Sequence, residues 1–84
     1  MNYFIADINA RIRVIVQDKL DVKPEQVEDA TYLSNELGAD SLEILEIIWE
    51  IEKTFNIHIP DEDMEKLTSI GSMTNYVRLK TGEN

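Results

Sequence analysis

The chain has 84 residues, enough for one small domain that hides roughly 60% of its unfolded surface, so a second core is excluded. It has no cysteine, which rules out disulfides, thiolate metal sites and a cysteine nucleophile. Its formal charge of −9, from 17 acids against 8 Lys and Arg, argues against nucleic-acid partners, which require a basic face.

In "NYFIADINARIRVIVQDKL", Ile5, Ile8, Ile12 and Ile15 recur at helical spacing, with Asn2 as a cap and Arg11, Asp18 and Lys19 off the stripe. The β-branched run Val14, Ile15, Val16 sits inside that period, and the length of the segment favours helix over strand. The next stretch, "DVKPEQVEDATYLSNELGA", mixes Pro24, acids and Gly38 with scattered apolar residues. It predicts a long connection with short helical turns, pinned to the core by Leu33 and Leu37.

A second helix opens at a capping box in which Asp40 accepts from the first turn and Glu43 reaches back. Ser41 then takes the first helical position. Ile44, Ile47, Ile48, Ile51 and Phe55 form a broad apolar face, widened by Leu42, Leu45 and Trp49, while Glu43, Glu46, Glu50 and Lys53 mark the wet side. Pro60 sits in a turn, Asp61 is expected to cap a short helix through Glu65 and Lys66, and a last helix starts near Ile70 with Met73 and Val77 on one face. The expected fold is all-α: a small bundle of three main helices plus one short helix, forming a single domain over residues 1–84.

No apolar run reaches the roughly 18 residues of a membrane span, and the N-terminus lacks a signal-peptide layout, so a soluble cytoplasmic protein without membrane insertion is expected. The acids from Glu25 to Glu65 are offset by Lys53 alone, a surface suited either to solubility or to steering basic partners.

Ser41 has little with which to react. A serine nucleophile needs a nearby base, yet the one histidine, His58, lies past the far end of a helix spanning roughly 20 Å. His58 reads as a surface residue. Asp61, Asp63 and Glu65 resemble the start of a calcium loop, but Lys66 and Ser72 stand where glycine and glutamate are required, and no metal site is expected. What fits Ser41 is an attached anion, beside unpaired N–H groups and the positive end of the helix dipole.

"LGADSLE" followed by "IEKTFNIHIPDEDMEKL" resembles the acyl carrier protein family over about residues 5 to 80. The resemblance implies a covalent 4′-phosphopantetheine, derived from coenzyme A, on Ser41, with Asp40 and Leu42 as motif neighbours presented to a phosphopantetheinyl transferase. It implies a monomeric carrier with no catalysis of its own, holding acyl groups as thioesters for acyl-transfer, condensing and modifying enzymes of fatty-acid, polyketide or related lipid biosynthesis. Glu43, Ile44, Leu45, Glu46, Trp49 and Glu50 would meet basic patches on those partners. Leu33, Leu37, Ile47, Ile51, Ile59, Met64, Leu67 and Met73 match positions that form the core and an acyl cleft. An aminoacyl or D-alanyl carrier, or an interaction subunit that docks through its acidic helix, are the alternatives. Ile44, Trp49 and Thr74, the last in place of an apolar residue, depart from the family's usual residues; Ile44, Leu45 and Trp49 form either an exposed patch for a particular partner of a specialised pathway or, for Trp49, packing on the bundle.

Overall fold

The computed structural model describes the backbone of residues 5–82 and the side chains of residues 7–82. Asn2 as a cap and the Ile5 side chain lie outside the described residues. Four helices follow in order: α1 (Ile5–Leu20), α2 (Ser41–Phe55), α3 (Asp61–Met64) and α4 (Ile70–Thr81), with a 3₁₀ turn at Pro24–Gln26. No strand occurs among the described residues; Tyr32 and Ser69 form one isolated bridge.

α1 buries Ile8, Ile12, Ile15 and Val16, and it is the helix against which both α2 and α4 pack. Val16 extends the isoleucine stripe, and burial outweighs the few tenths of a kcal/mol by which each β-branched residue disfavours helix. α2 contributes Ile47, Ile48, Ile51 and Phe55 to the core, and α4 contributes Ile70, Met73 and Val77. Val27, Leu33, Ile59 and Leu67 close the core from the connections.

The long connection before α2 is ordered by its backbone. The Leu33 N–H donates to the Thr68 carbonyl at 3.0 Å, and the Ala39 N–H donates to the Leu33 carbonyl at 2.9 Å. Gly38, just before Ala39, sits at φ 70°, a conformation that glycine adopts without steric cost, and turns the chain toward α2. Leu33 is fully buried and Leu37 half-buried, as expected of residues that pin this loop.

Two expectations are corrected near α3. Pro60, in an extended conformation, occupies the cap position, and Asp61 is the first helical residue, where its carboxylate complements the helix dipole. The helix also stops at Met64 instead of running through Lys66, because the chain turns at once to bury Leu67.

Thr74, which stands where an apolar residue was expected, is buried with its hydroxyl satisfied. It donates to the Ile70 carbonyl at 2.9 Å and accepts from Asn9 Nδ2 at 3.1 Å. The same Asn9 amide reaches Asp29 at 2.9 Å, and Arg13 bonds both Asn9 (2.7 Å) and Asp29 (2.7 Å). The Asp29 carbonyl accepts the Gly71 N–H at 2.8 Å, so α1, the loop and α4 are joined by one polar network.

Candidate functional site

The start of α2 is built by reciprocal local bonds. Asp40 is extended, its carboxylate accepts the Glu43 N–H at 2.8 Å, and Glu43 accepts the Asp40 N–H at 3.0 Å. Ser41 is therefore held at the first helical position with its side chain exposed. Among the described residues, its hydroxyl has no hydrogen-bond partner. The Ser41 and Leu42 N–H groups are likewise unpaired, since the first intrahelical bond is from Ile44 to Asp40.

One side of α2 faces solvent with an unusual mixture. Leu42 is 62% exposed and Trp49 52% exposed, so they do not widen the buried face as the periodicity alone implied. With half-buried Leu45 they form an apolar stripe at i, i+3 and i+7, beside exposed Glu46 and half-buried Glu43 and Glu50.

The other side borders a groove. Ser41, Ile44, Leu45, Ile48, Met64 and Glu65 line a concavity of about 250 Å³. Ile44, Met64 and Glu65 also line a second one of about 440 Å³, which continues to Leu67, Thr68 and the loop residues Tyr32, Ser34 and Asn35. The two therefore share a wall beside the serine. A larger concavity of about 530 Å³ lies between Lys66, Leu67, Tyr76, Leu79 and Lys80 and does not border Ser41.

Of the residues expected in an acyl cleft, Met64 and Leu67 line this groove, while Leu33, Ile47, Ile51, Ile59 and Met73 are buried in the core. Leu37 is half-buried against that core. Ile44 was read as partner-facing, yet it is half-buried and lines both concavities. Its position was legible, since Ser41, Ile44 and Ile48 share one helical face. Glu65, Tyr32, Ser34 and Asn35 had no such local signal.

Behind the groove, the Tyr76 hydroxyl donates to Asp63 Oδ2 at 2.7 Å, and Lys66 Nζ approaches Asp63 Oδ1 at 3.2 Å. The Tyr76 bond, followed by that of Lys66, holds the Asp63 carboxyl below its usual 3.8. Burial and then the Asp63 bond push the Tyr76 phenol up to about 12. His58 is 84% exposed and lies 3.4 Å from Glu52, remote in sequence and setting from Ser41. Among the described residues, no cluster of three or more His, Asp or Glu could hold a metal ion, and no helix is long and apolar enough to cross a membrane.

Residues 10–77 match the family model for the phosphopantetheine attachment site. The chain is 39% identical over 66 residues to an acyl carrier protein of Wolinella succinogenes, covering 79% of this chain and 87% of the relative. The chain belongs to the acyl carrier protein family. An acyl carrier protein of Amoebophilus asiaticus is 38% identical over 79 residues, covering 94% of this chain and 99% of the relative. The bundle matches a solved structure of acyl carrier protein from Enterococcus faecalis with a TM-score of 0.80 at 27% identity, over 93% of this chain and 99% of that one. The residues of this acyl carrier protein suit the group that its family attaches. An exposed, unbonded hydroxyl at a helix N-terminus with two free amides accommodates a phosphodiester without displacing any contact.

Proposed function

We propose that Ser41 is the attachment residue for 4′-phosphopantetheine, transferred from coenzyme A by a phosphopantetheinyl transferase that reads Asp40 and Leu42 beside it. The observation that carries this reading is the Ser41 hydroxyl, exposed and unbonded at a rigidly capped helix start. The attached arm would supply the thiol that the chain lacks, so that acyl groups travel as thioesters. Ser41 is an anchor in this reading, and the chain is a substrate of partner enzymes in fatty-acid or related lipid or polyketide synthesis.

The chain's own residues do three things. The free amides of Ser41 and Leu42 favour the phosphodiester charge. Glu43, Glu46 and Glu50 steer α2 toward a basic patch near a partner's entrance, with Leu42, Leu45 and Trp49 supplying the apolar contact once docked. The groove lined by Ile44, Met64 and Leu67 gives an acyl chain a place out of water. The exposed Leu42–Trp49 stripe favours a specialised partner over a general one, because an exposed tryptophan commonly anchors an interface.

Intact mass after incubation with coenzyme A, magnesium and a broad-specificity transferase tests the reading. One phosphopantetheine adduct is expected on wild type and none on Ser41→Ala, with helicity unchanged. An adduct mapped to Ser34, Ser69 or Ser72 would refute it, and no adduct on folded protein would favour an interaction subunit. Mass analysis of carrier isolated with its cargo separates acyl from aminoacyl or D-alanyl loads. Replacing Glu43, Glu46 and Glu50 with glutamine should slow association with a basic partner and flatten its salt dependence.

A further inference from the structure

α3 is a single turn of four residues, none of them buried, yet it carries part of the wall beside Ser41. Met64 ends it and Glu65 follows, and both line the concavity that Ser41 borders as well as the larger one that adjoins it. At its N-terminal side the chain is held by Glu52, whose carboxylate accepts the Ile59 N–H at 2.7 Å. On its C-terminal side it is held by buried Leu67 and by the bond from the Leu33 N–H to the Thr68 carbonyl. Between these anchors, the side chains of α3 make only the two bonds of Asp63 among the described residues. The one to Lys66 is local, three residues on. The one from the Tyr76 hydroxyl spans 13 residues and ties the turn to α4.

We propose that the Tyr76–Asp63 hydrogen bond is a positioning element that sets the width of the groove beside Ser41 and thereby the length of acyl chain sheltered there. This rests on the reading of Ser41 as the attachment residue and of the adjoining groove as the acyl site. Tyr76 touches neither the serine nor the cargo. It acts through α3: with the bond made, Met64 and Glu65 stay close to Ile44 and the groove is narrow; with it broken, the short helix has no other long-range side-chain bond and its wall can retreat. A one-turn helix has too few internal hydrogen bonds to hold its place alone, so its position depends on the packing of half-buried Met64 and on this one tertiary bond. The side-chain geometry also makes the bond separable from the core, since the Tyr76 ring is half-buried and the Asp63 carboxylate lies outside the sealed interior.

The experiment uses the full chain loaded with a series of acyl groups from acetyl to long chains, as wild type, Tyr76→Phe, Asp63→Ala and the double variant. Two readouts are taken: thioester cleavage by hydroxylamine, and the chain length at which the thermal gain over the bare arm saturates. Tyr76→Phe should cleave about threefold faster than wild type for chains long enough to fill the groove, the factor of one weak hydrogen bond in an opening equilibrium, and equally fast for acetyl. Asp63→Ala should reproduce this, and the double variant should add nothing, as expected of two halves of one interaction. Saturation should move to longer chains in all three variants, an outcome that general loosening of the core would not produce. Identical cleavage profiles and saturation lengths in wild type and in whichever single variants remain folded overturn the tether. Absence of an adduct on wild-type Ser41 overturns instead the attachment reading on which it stands, and a wild-type profile independent of chain length overturns the groove.

Discussion

Between α1 and α4, Asn9 bonds Asp29, Thr74 and Arg13, and Gly71 lies so close to the loop that an added Cβ would stand 3.0 Å from the Asp29 carbonyl oxygen. At the Ser41 end, α3 has no fully buried residue, the groove is lined by half-buried Ile44 and Met64, and Leu42 and Trp49 are exposed. The same small chain thus has one flank where apolar burial and directional bonds coincide and one where neither is complete. A flank of the first kind opens only with the whole domain, whereas the second can rearrange at low cost. In the proposed reading that division suits a carrier: a fixed frame would hold the attachment helix, and the side proposed to meet cargo and partners would keep room to adapt.

The sharpest way to break this comparison is to remove equal kinds of apolar contact from both sides. Ile12→Ala, at a fully buried position, should cost about 2–5 kcal/mol, enough to bring a domain of this size near unfolding. Trp49→Ala should stay within about 0.5 kcal/mol of wild type. Urea denaturation of the two variants checks both, and equal losses would show that the Ser41 end is as tightly packed as the flank.

The polar network can be sharpened at Thr74, whose hydroxyl ties α4 to Asn9 of α1. Thr74→Val keeps the shape but loses the bonds to Asn9 and the Ile70 carbonyl, and should cost about 1 kcal/mol while leaving Asn9 with Asp29 and Arg13. Faster amide exchange should be confined to α1 and α4. If it appears in α3 instead, the flank and the groove are one cooperative unit.

A smaller effect distinguishes the tie between α3 and α4 by pH. Because the Tyr76 phenol is raised from 10.0 to about 12, its contribution is complete below pH 10 and is lost as the pH climbs through the folded value. Because the Asp63 carboxyl is lowered, its contribution is present above 3.8 and disappears as the pH falls through its depressed folded value. The stability gap between wild type and Tyr76→Phe should therefore be flat from about pH 5 to 9 and narrow at both extremes. Thermal melts across that range measure it, and a gap that widens above pH 10 would contradict the assignment.

The smallest change is expected at His58, paired with Glu52 but almost fully exposed. His58→Ala should shift stability by less than about 0.5 kcal/mol, since surface ion pairs contribute little and Glu52 keeps its bond to the Ile59 N–H. A loss of the size found for Thr74→Val would mean that the turn into α3 is held by His58, and would move that turn from the adaptable side to the fixed one.

Much of the architecture was readable from the residues alone. The helices α1, α2 and α4 follow from apolar periodicity, and the start of α2 follows from Asp40 and Glu43, because capping is an exchange between neighbours three residues apart. The position of Ser41 is therefore a property of local sequence, as is the acidic face behind it. The end of α3 was misplaced because a four-residue turn leaves no period to read, and its length depends on where Leu67 must reach the core. Whether Trp49 packs or stands in water is not a property of its helix alone, since it depends on which other elements cover that face. The groove beside Ser41 joins Ile44 to Met64 and Glu65, and the Thr74 hydroxyl finds Asn9 across 65 positions of chain. Such pairings depend on how the helices pack against one another, so only the tertiary structure decides them.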